Sequence, residues 1–137
     1  LSGMSTMQHV VENVASAERS EVGSMRPADL ALIERARQTY EELCPIPCTA
    51  CGYCMPCPNG VDIPRNFALL NNATMYNAWE DARRRYGRMV EGSRAEDCIA
   101  CRECEELCPQ DILISEWMPV VHQVLGLGQS LDACSLP

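Results

Sequence analysis

A single phenylalanine and 5% aromatic residues in 137 leave little from which to build a large aromatic core, so the length allows one compact domain plus a short addition. The net charge of −8 argues against nucleic acid as a partner, and no stretch approaches the ~20 apolar residues of a membrane span. A basic-then-apolar leader is missing from the N-terminal residues, and the expected location is the cytoplasm, where thiols stay reduced.

In chain order, Ser5-Thr6-Met7-Gln8 reads as a capping box that opens a helix through about Glu18, with Val10, Val11 and Val14 on its buried side. Ser20 to Met25 reads as a linker. Pro27 suits the first turn of a second helix to about Leu43, with Leu30, Ile33 and Tyr40 along one face. Pro45, Pro47, Pro56 and Pro58 then forbid a long helix. Pro64 can start a third helix bearing Phe67, Leu69 and Leu70, which Asn71-Asn72 should interrupt. From Met75 to Val90 a helical pattern resumes, with Tyr76, Trp79 and Tyr86. Ser93-Arg94-Ala95-Glu96 reads as another capping box. Ile112 to Leu125 is a last amphipathic helix with Pro119 near its first turn, and residues 126–137 should be frayed. No β-alternation of useful length occurs. The expected fold is all-α.

Ten cysteines dominate this framework. Eight fall into two runs, Cys48-x2-Cys51-x2-Cys54-x2-Cys57-Pro58 and Cys98-x2-Cys101-x2-Cys104-x3-Cys108-Pro109. Three cysteines spaced three apart, with a fourth before proline, are how a chain wraps one four-iron cluster and lends its last thiolate to another. The short gaps let three thiolates converge on three corners of a cube, and the proline turns the chain away after the fourth. Two [4Fe-4S] clusters are therefore expected, one on Cys48, Cys51, Cys54 and Cys108, the other on Cys98, Cys101, Cys104 and Cys57. The x2 gap before Cys57 leaves local ligation by Cys48, Cys51, Cys54 and Cys57 open. Zinc and disulfides compete with this reading. Zinc modules usually show two cysteine pairs separated by a gap, and disulfide scaffolds rarely crowd cysteines at three-residue intervals. With eight thiolates and two cores of about +2 each, the loaded chain would sit near about −12.

About forty residues separate Cys57 from Cys98 and read as helices. In this the chain resembles the α-helical ferredoxin domain of succinate dehydrogenase iron–sulfur subunits. A finer resemblance rests on Ile46-Pro-Cys-Thr-Ala-Cys-Gly-Tyr-Cys-Met-Pro-Cys-Pro-Asn-Gly-Val-Asp-Ile-Pro-Arg65 and Cys98-Ile-Ala-Cys-Arg-Glu-Cys-Glu-Glu-Leu-Cys-Pro-Gln110. These stretches look like the C-terminal extension of a subfamily of aldo/keto reductases. Leu1-Ser-Gly-Met-Ser-Thr-Met-Gln-His-Val-Val-Glu-Asn-Val14 resembles the end of such a reductase's last barrel strand and its final helix. The resemblance implies that residues 1–25 are a remnant of a (β/α)8 barrel plus linker, that 26–125 form the α-helical ferredoxin-like domain, and that 126–137 are tail. It also implies that Glu12 and Asn13 contact the adenosine end of NAD(P) in a parent enzyme; His9 stands where the family carries a basic residue.

The catalytic set of that family is Asp, Tyr, Lys and His. The chain has eleven arginines and no lysine, and a barrel needs at least ~200 residues, so no catalytic residue is assigned and the chain is expected to be a piece of a longer reductase. Cys44 and Cys134 are left over as expected free thiols. Arg83, Arg84, Arg85 and Arg88 form a basic helix face, to be solvated and paired with acids or to dock an acidic partner. Met75, Met89 and Met118 are expected to fill core, and Tyr53 to shield a cluster. Two functions compete: a relay of single electrons between a redox partner and the parent barrel, or a metal-stapled structural module. Nucleic acid and membrane are not expected as partners.

Overall fold

The computed structural model describes residues 3–137, which form helices and turns with no strand among the described residues. The chain divides into two compact units, one ending at Arg37 and the other spanning Gln38–Pro137.

The first unit holds α1 (Met7–Glu18) and the beginning of α2 (Pro27–Leu43). Thr6 caps α1, its Oγ1 accepting from the His9 N–H at 3.3 Å. The expected box between Ser5 and Gln8 is not used. Gln8 instead donates forward to Glu12 Oε1 at 2.9 Å, one helical turn on. Neither helix buries a residue. Val10, Val11 and Val14, expected on a buried side, are 36%, 61% and 52% exposed, and Leu30, Ile33 and Tyr40 are exposed as well. The apolar periodicity is real, but among the described residues neither stripe is covered by a second layer, and a stripe needs one to be buried.

The second unit is built on a repeat. Each cysteine run leads through a buried aliphatic residue into a helix: Val61 into α3 (Ile63–Tyr76) after the first, Ile112 into α6 (Ile114–Val121) after the second, which itself holds the short α5 (Glu103–Glu106). Positions 51 apart match one for one. Ile63 and Ile114, Phe67 and Met118, Leu70 and Val121, and Ala73 and Val124 are all at most 3% exposed. The two helices pack on each other, and α4 (Trp79–Gly87) crosses α3 and adds Ala82 and Tyr86 to the core. Met89 and Met118 are buried core residues as expected; Met75 is half-buried.

Several boundaries differ from the sequence pattern. Asn71-Asn72 does not interrupt α3, because the Asn71 side chain finds partners outside the helix. The break comes at Asn77, in a left-handed conformation (φ 50°) that asparagine tolerates. The cap before the second cysteine run is displaced by one residue. The Asp97 carboxylate accepts from the Arg94 N–H at 3.1 Å at the head of a 3-10 turn (Ala95–Asp97), while Ser93 Oγ donates back to the Val90 carbonyl. In α6, Pro119 is the sixth residue, past the first turn, and a π turn (His122–Gly126) follows. Arg83 reaches from α4 to donate to the Val124 carbonyl within that turn at 3.1 Å and, in the segment expected to fray, to the carbonyls of Gly128 and Gln129 at 3.3 Å each. Leu131 and Cys134 then pack against the core.

Candidate iron–sulfur site

The two cysteine loops share a backbone. Ala50 and Gly52 have φ of 54° and 78°; Ala100 and Arg102, fifty residues on, have 55° and 66°. Gly60 and Asp111 close the two loops with φ of 82° and 51°, and their N–H groups donate to the carbonyls of Cys57 and Cys108 at 3.0 and 3.2 Å. A left-handed residue other than glycine costs about 1–2 kcal/mol, so four of them at matching places mark a conformation imposed by the loop's task. Turns of this kind aim backbone N–H groups inward at an anionic centre, a geometry common to phosphate and iron–sulfur sites. The Ala50 N–H already points at a thiol, donating to Cys48 Sγ at 3.5 Å.

The eight thiols divide in the same repeated way. Cys51 and Cys101, second in each run, are exposed, while Cys48, Cys54, Cys57, Cys98, Cys104 and Cys108 lie partly buried against the core. Burial pushes the Cys48 thiol up, partly offset by the Ala50 N–H, and the charges of Cys108, Cys51 and Cys44 push further. Cys54 is raised by burial first and then by Cys48, Cys51 and Cys108. Cys108, 54 residues beyond Cys54 in sequence, thus stands within electrostatic reach of the first run. Cys104 is pushed up to about 11, first by burial and then by the charges of Glu105, Cys101 and Cys98. Among the described residues no three cysteine, histidine or acidic side chains converge on the point that a single ion would occupy. A zinc ion needs four donors at about 2.0–2.3 Å from one centre, whereas a cubane takes one thiolate at each of four separated corners. Soft thiolates held in two groups suit iron–sulfur clusters.

Two buried asparagines on α3 hold the approaches to both loops: Asn66, which sequence reasoning passed over, and Asn71, which it read only as a helix breaker. Asn71 accepts from the Ile46 N–H at 3.1 Å and donates to the Ile46 carbonyl at 2.7 Å, two residues before Cys48. Asn66, fully buried, donates to the Asp62 and Ser93 carbonyls at 2.8 and 2.9 Å and accepts from the Ala95 N–H at 3.0 Å, three residues before Cys98. One helix therefore fixes where both runs begin. A signal existed: Asn66 follows Ile63 by three and Asn71 follows Phe67 by four, so both stand on the buried stripe. Glu105 was also missed; its carboxylate accepts from the Ser115 N–H at 2.7 Å at the start of α6.

The other sequence candidates divide. Tyr53, expected to shield a cluster, is 66% exposed. Cys44 donates to the Ile46 carbonyl at 3.6 Å and neighbours Tyr40, and Cys134 donates to Ser130; both are free thiols. The arginine face is split: Arg83 turns inward to the tail, and Arg84 and Arg85 pair with Asp81. Glu12 and Asn13 stand on exposed turns of α1, where the Glu12 carboxylate accepts from Gln8.

No helix is long and apolar enough to cross a membrane among the described residues. No curated protein and no solved structure gives a significant match to the chain. Residues 47–113, which run from Pro47 through both cysteine loops and the α3–α4 connection, match the 4Fe-4S dicluster domain family, so the chain carries an all-helical iron–sulfur domain of ferredoxin type.

Proposed function

We propose that the chain is an electron-transfer module that relays single electrons through two [4Fe-4S] clusters. Cys48, Cys51, Cys54 and Cys108 would hold the first, and Cys98, Cys101, Cys104 and Cys57 the second. The observation that carries this reading is the nearness of Cys108 to Cys48 and Cys54 across the fold, joined to the match over residues 47–113. When bound, such clusters supply one-electron redox chemistry and nothing else. The chain's own residues do the rest. Left-handed backbone at Ala50, Gly52, Ala100 and Arg102 bends each loop, the Ala50 N–H donates to a ligand sulfur, and Asn66 and Asn71 keep the loops in register. A single staple would need one metal site; two adjoining sites favour a relay over a structural clamp.

We further infer a parent enzyme of the aldo/keto reductase type. The support is the resemblance of residues 1–14 and of both cysteine stretches to the C-terminal part of that subfamily. On this reading the relay joins a nicotinamide site in the rest of the reductase to an external one-electron carrier in a reducing, cytoplasmic setting. Glu12 and Asn13 would touch the NAD(P) adenosine there, and the substrate chemistry would belong wholly to the parent, since this chain has no lysine.

Anaerobic purification tests the central claim. The protein should be brown and carry about eight iron and eight sulfide per chain, as two four-iron clusters require. A colourless chain that takes up stoichiometric zinc and no iron after anaerobic reconstitution would refute it. The parentage is tested separately: carbonyl reduction by this chain alone would contradict it.

A further inference from the structure

The backbone of the two cysteine loops is a close copy, but their charges are not. Between Cys48 and Cys57 there is no charged residue; between Cys98 and Cys108 stand Arg102, Glu103, Glu105 and Glu106, and Asp111 closes that loop. Arg102 offsets only part of the excess, lying 3.9 Å from Glu105 and 3.5 Å from Glu116. Glu103, Glu106 and Asp111 are exposed. Among the described residues an N–H donates to a ligand sulfur across two residues in the uncharged loop, Ala50 to Cys48.

Adding an electron to a cluster adds negative charge. Nearby carboxylates disfavour that step, and N–H donors to sulfur favour it. Both differences act in the same direction.

Resting on the two-cluster reading, we propose that Glu103 and Glu105, the two carboxylates that flank Cys104, hold the cluster of the second loop at a lower potential than that of the first. The second loop is then the donor end of the relay and the first loop the acceptor end. With both clusters bound, one electron would pass from the cluster of the second loop, which is oxidised, to that of the first, which is reduced. No bond and no proton moves. The electron enters from an external one-electron donor and leaves to an external one-electron acceptor.

The exposure of Glu103 makes it a suitable probe, because its replacement disturbs no core contact. An anaerobic redox titration followed by electron paramagnetic resonance should show two waves in the iron-loaded chain. In Glu103→Gln the lower wave should rise, by up to about tenfold in the equilibrium constant (at most about 59 mV for one electron), while the higher wave stays. Raising the ionic strength should narrow the gap in the unaltered chain, because screening weakens exposed charges first. A rise of the higher wave, or no movement of either, overturns the assignment while leaving the two-cluster reading intact. A reconstituted chain that holds no iron overturns both.

Discussion

Asn71 grips the backbone of Ile46 at both of its polar groups, accepting from its N–H at 3.1 Å and donating to its carbonyl at 2.7 Å, with Ile46 wholly buried. This pair of bonds is the link between α3 and the residues that lead into the first cysteine loop. Asn71→Leu keeps the volume and removes both partners. Each buried backbone group left unpaired costs about 1–3 kcal/mol, so the variant should unfold at clearly lower denaturant and release the iron of the first loop faster than that of the second. Equal release from both loops would show that Asn71 acts on the whole domain and not on one approach.

Gly126 is needed for a different reason. A Cβ at this position would lie 2.6 Å from His122 Nδ1 and 3.2 Å from the Tyr86 ring. That is where the buried Tyr86 hydroxyl meets His122 Nδ1 at 3.1 Å. Gly126→Ala must therefore displace the imidazole or open the π turn. Overpacking of this kind costs about 1–3 kcal/mol, and thermal unfolding of the loaded chain should show it as a lower midpoint. Gly87→Ala, with open space around the added carbon, serves as the control that should leave the midpoint unchanged or raise it.

Much of this architecture is legible in the order of residues alone. The cysteine spacing marks the site, and the helical stretches between the runs mark the all-α fold, because both signals are local. Pro27 and Pro64 locate helix starts well for the same reason. The features that escape a sequence reading are long-range. The valines of α1 repeat with helical period, yet periodicity does not say whether a partner layer exists. Asn71 has the poor propensity of a helix breaker, but a bond partner 25 residues away keeps it inside α3. The start of the tail is tied by Arg83, more than forty residues earlier, a link that no local pattern reveals. The near-copy of the two loops is hidden as well, since Gly52 and Arg102 share a conformation and not a residue type.

The raised thiols predict opposite pH responses for the empty and loaded chains. Cys104 titrates at about 11 in the folded chain against an ordinary 9.0, chiefly from burial. A pKa raised in the folded state means that folding favours the protonated thiol. Its contribution is fully present below about pH 9 and is lost as pH climbs toward 11, and Cys48 and Cys54 shift in the same direction. The iron-free chain should thus lose stability across that window. Cluster assembly needs thiolates and releases protons, so anaerobic reconstitution should instead go further as pH rises from neutral. Denaturant melts of the iron-free chain and iron uptake at several pH values check the two signs independently, and a stability that rises between pH 9 and 11 would contradict the first.

The sharpest test concerns which loop each terminal cysteine serves. Cys108 stands within electrostatic reach of Cys48 and Cys54, so the first cluster should need it, and the repeat then assigns Cys57 to the second. Both cysteines precede a proline, which carries the chain away from its own loop. Under this crossed arrangement, Cys108→Ala and Cys54→Ala should perturb the same paramagnetic signal, and Cys57→Ala and Cys101→Ala the other. The local arrangement makes the reverse pairing, with Cys57→Ala matching Cys54→Ala and sparing the signal lost in Cys101→Ala. Serine replacements at the same positions separate ligand loss from misfolding, because an alkoxide can still bind iron while shifting the signal. A chain in which Cys57→Ser moves the signal assigned to Cys48, Cys51 and Cys54 has its clusters wrapped loop by loop, and the crossed arrangement is wrong.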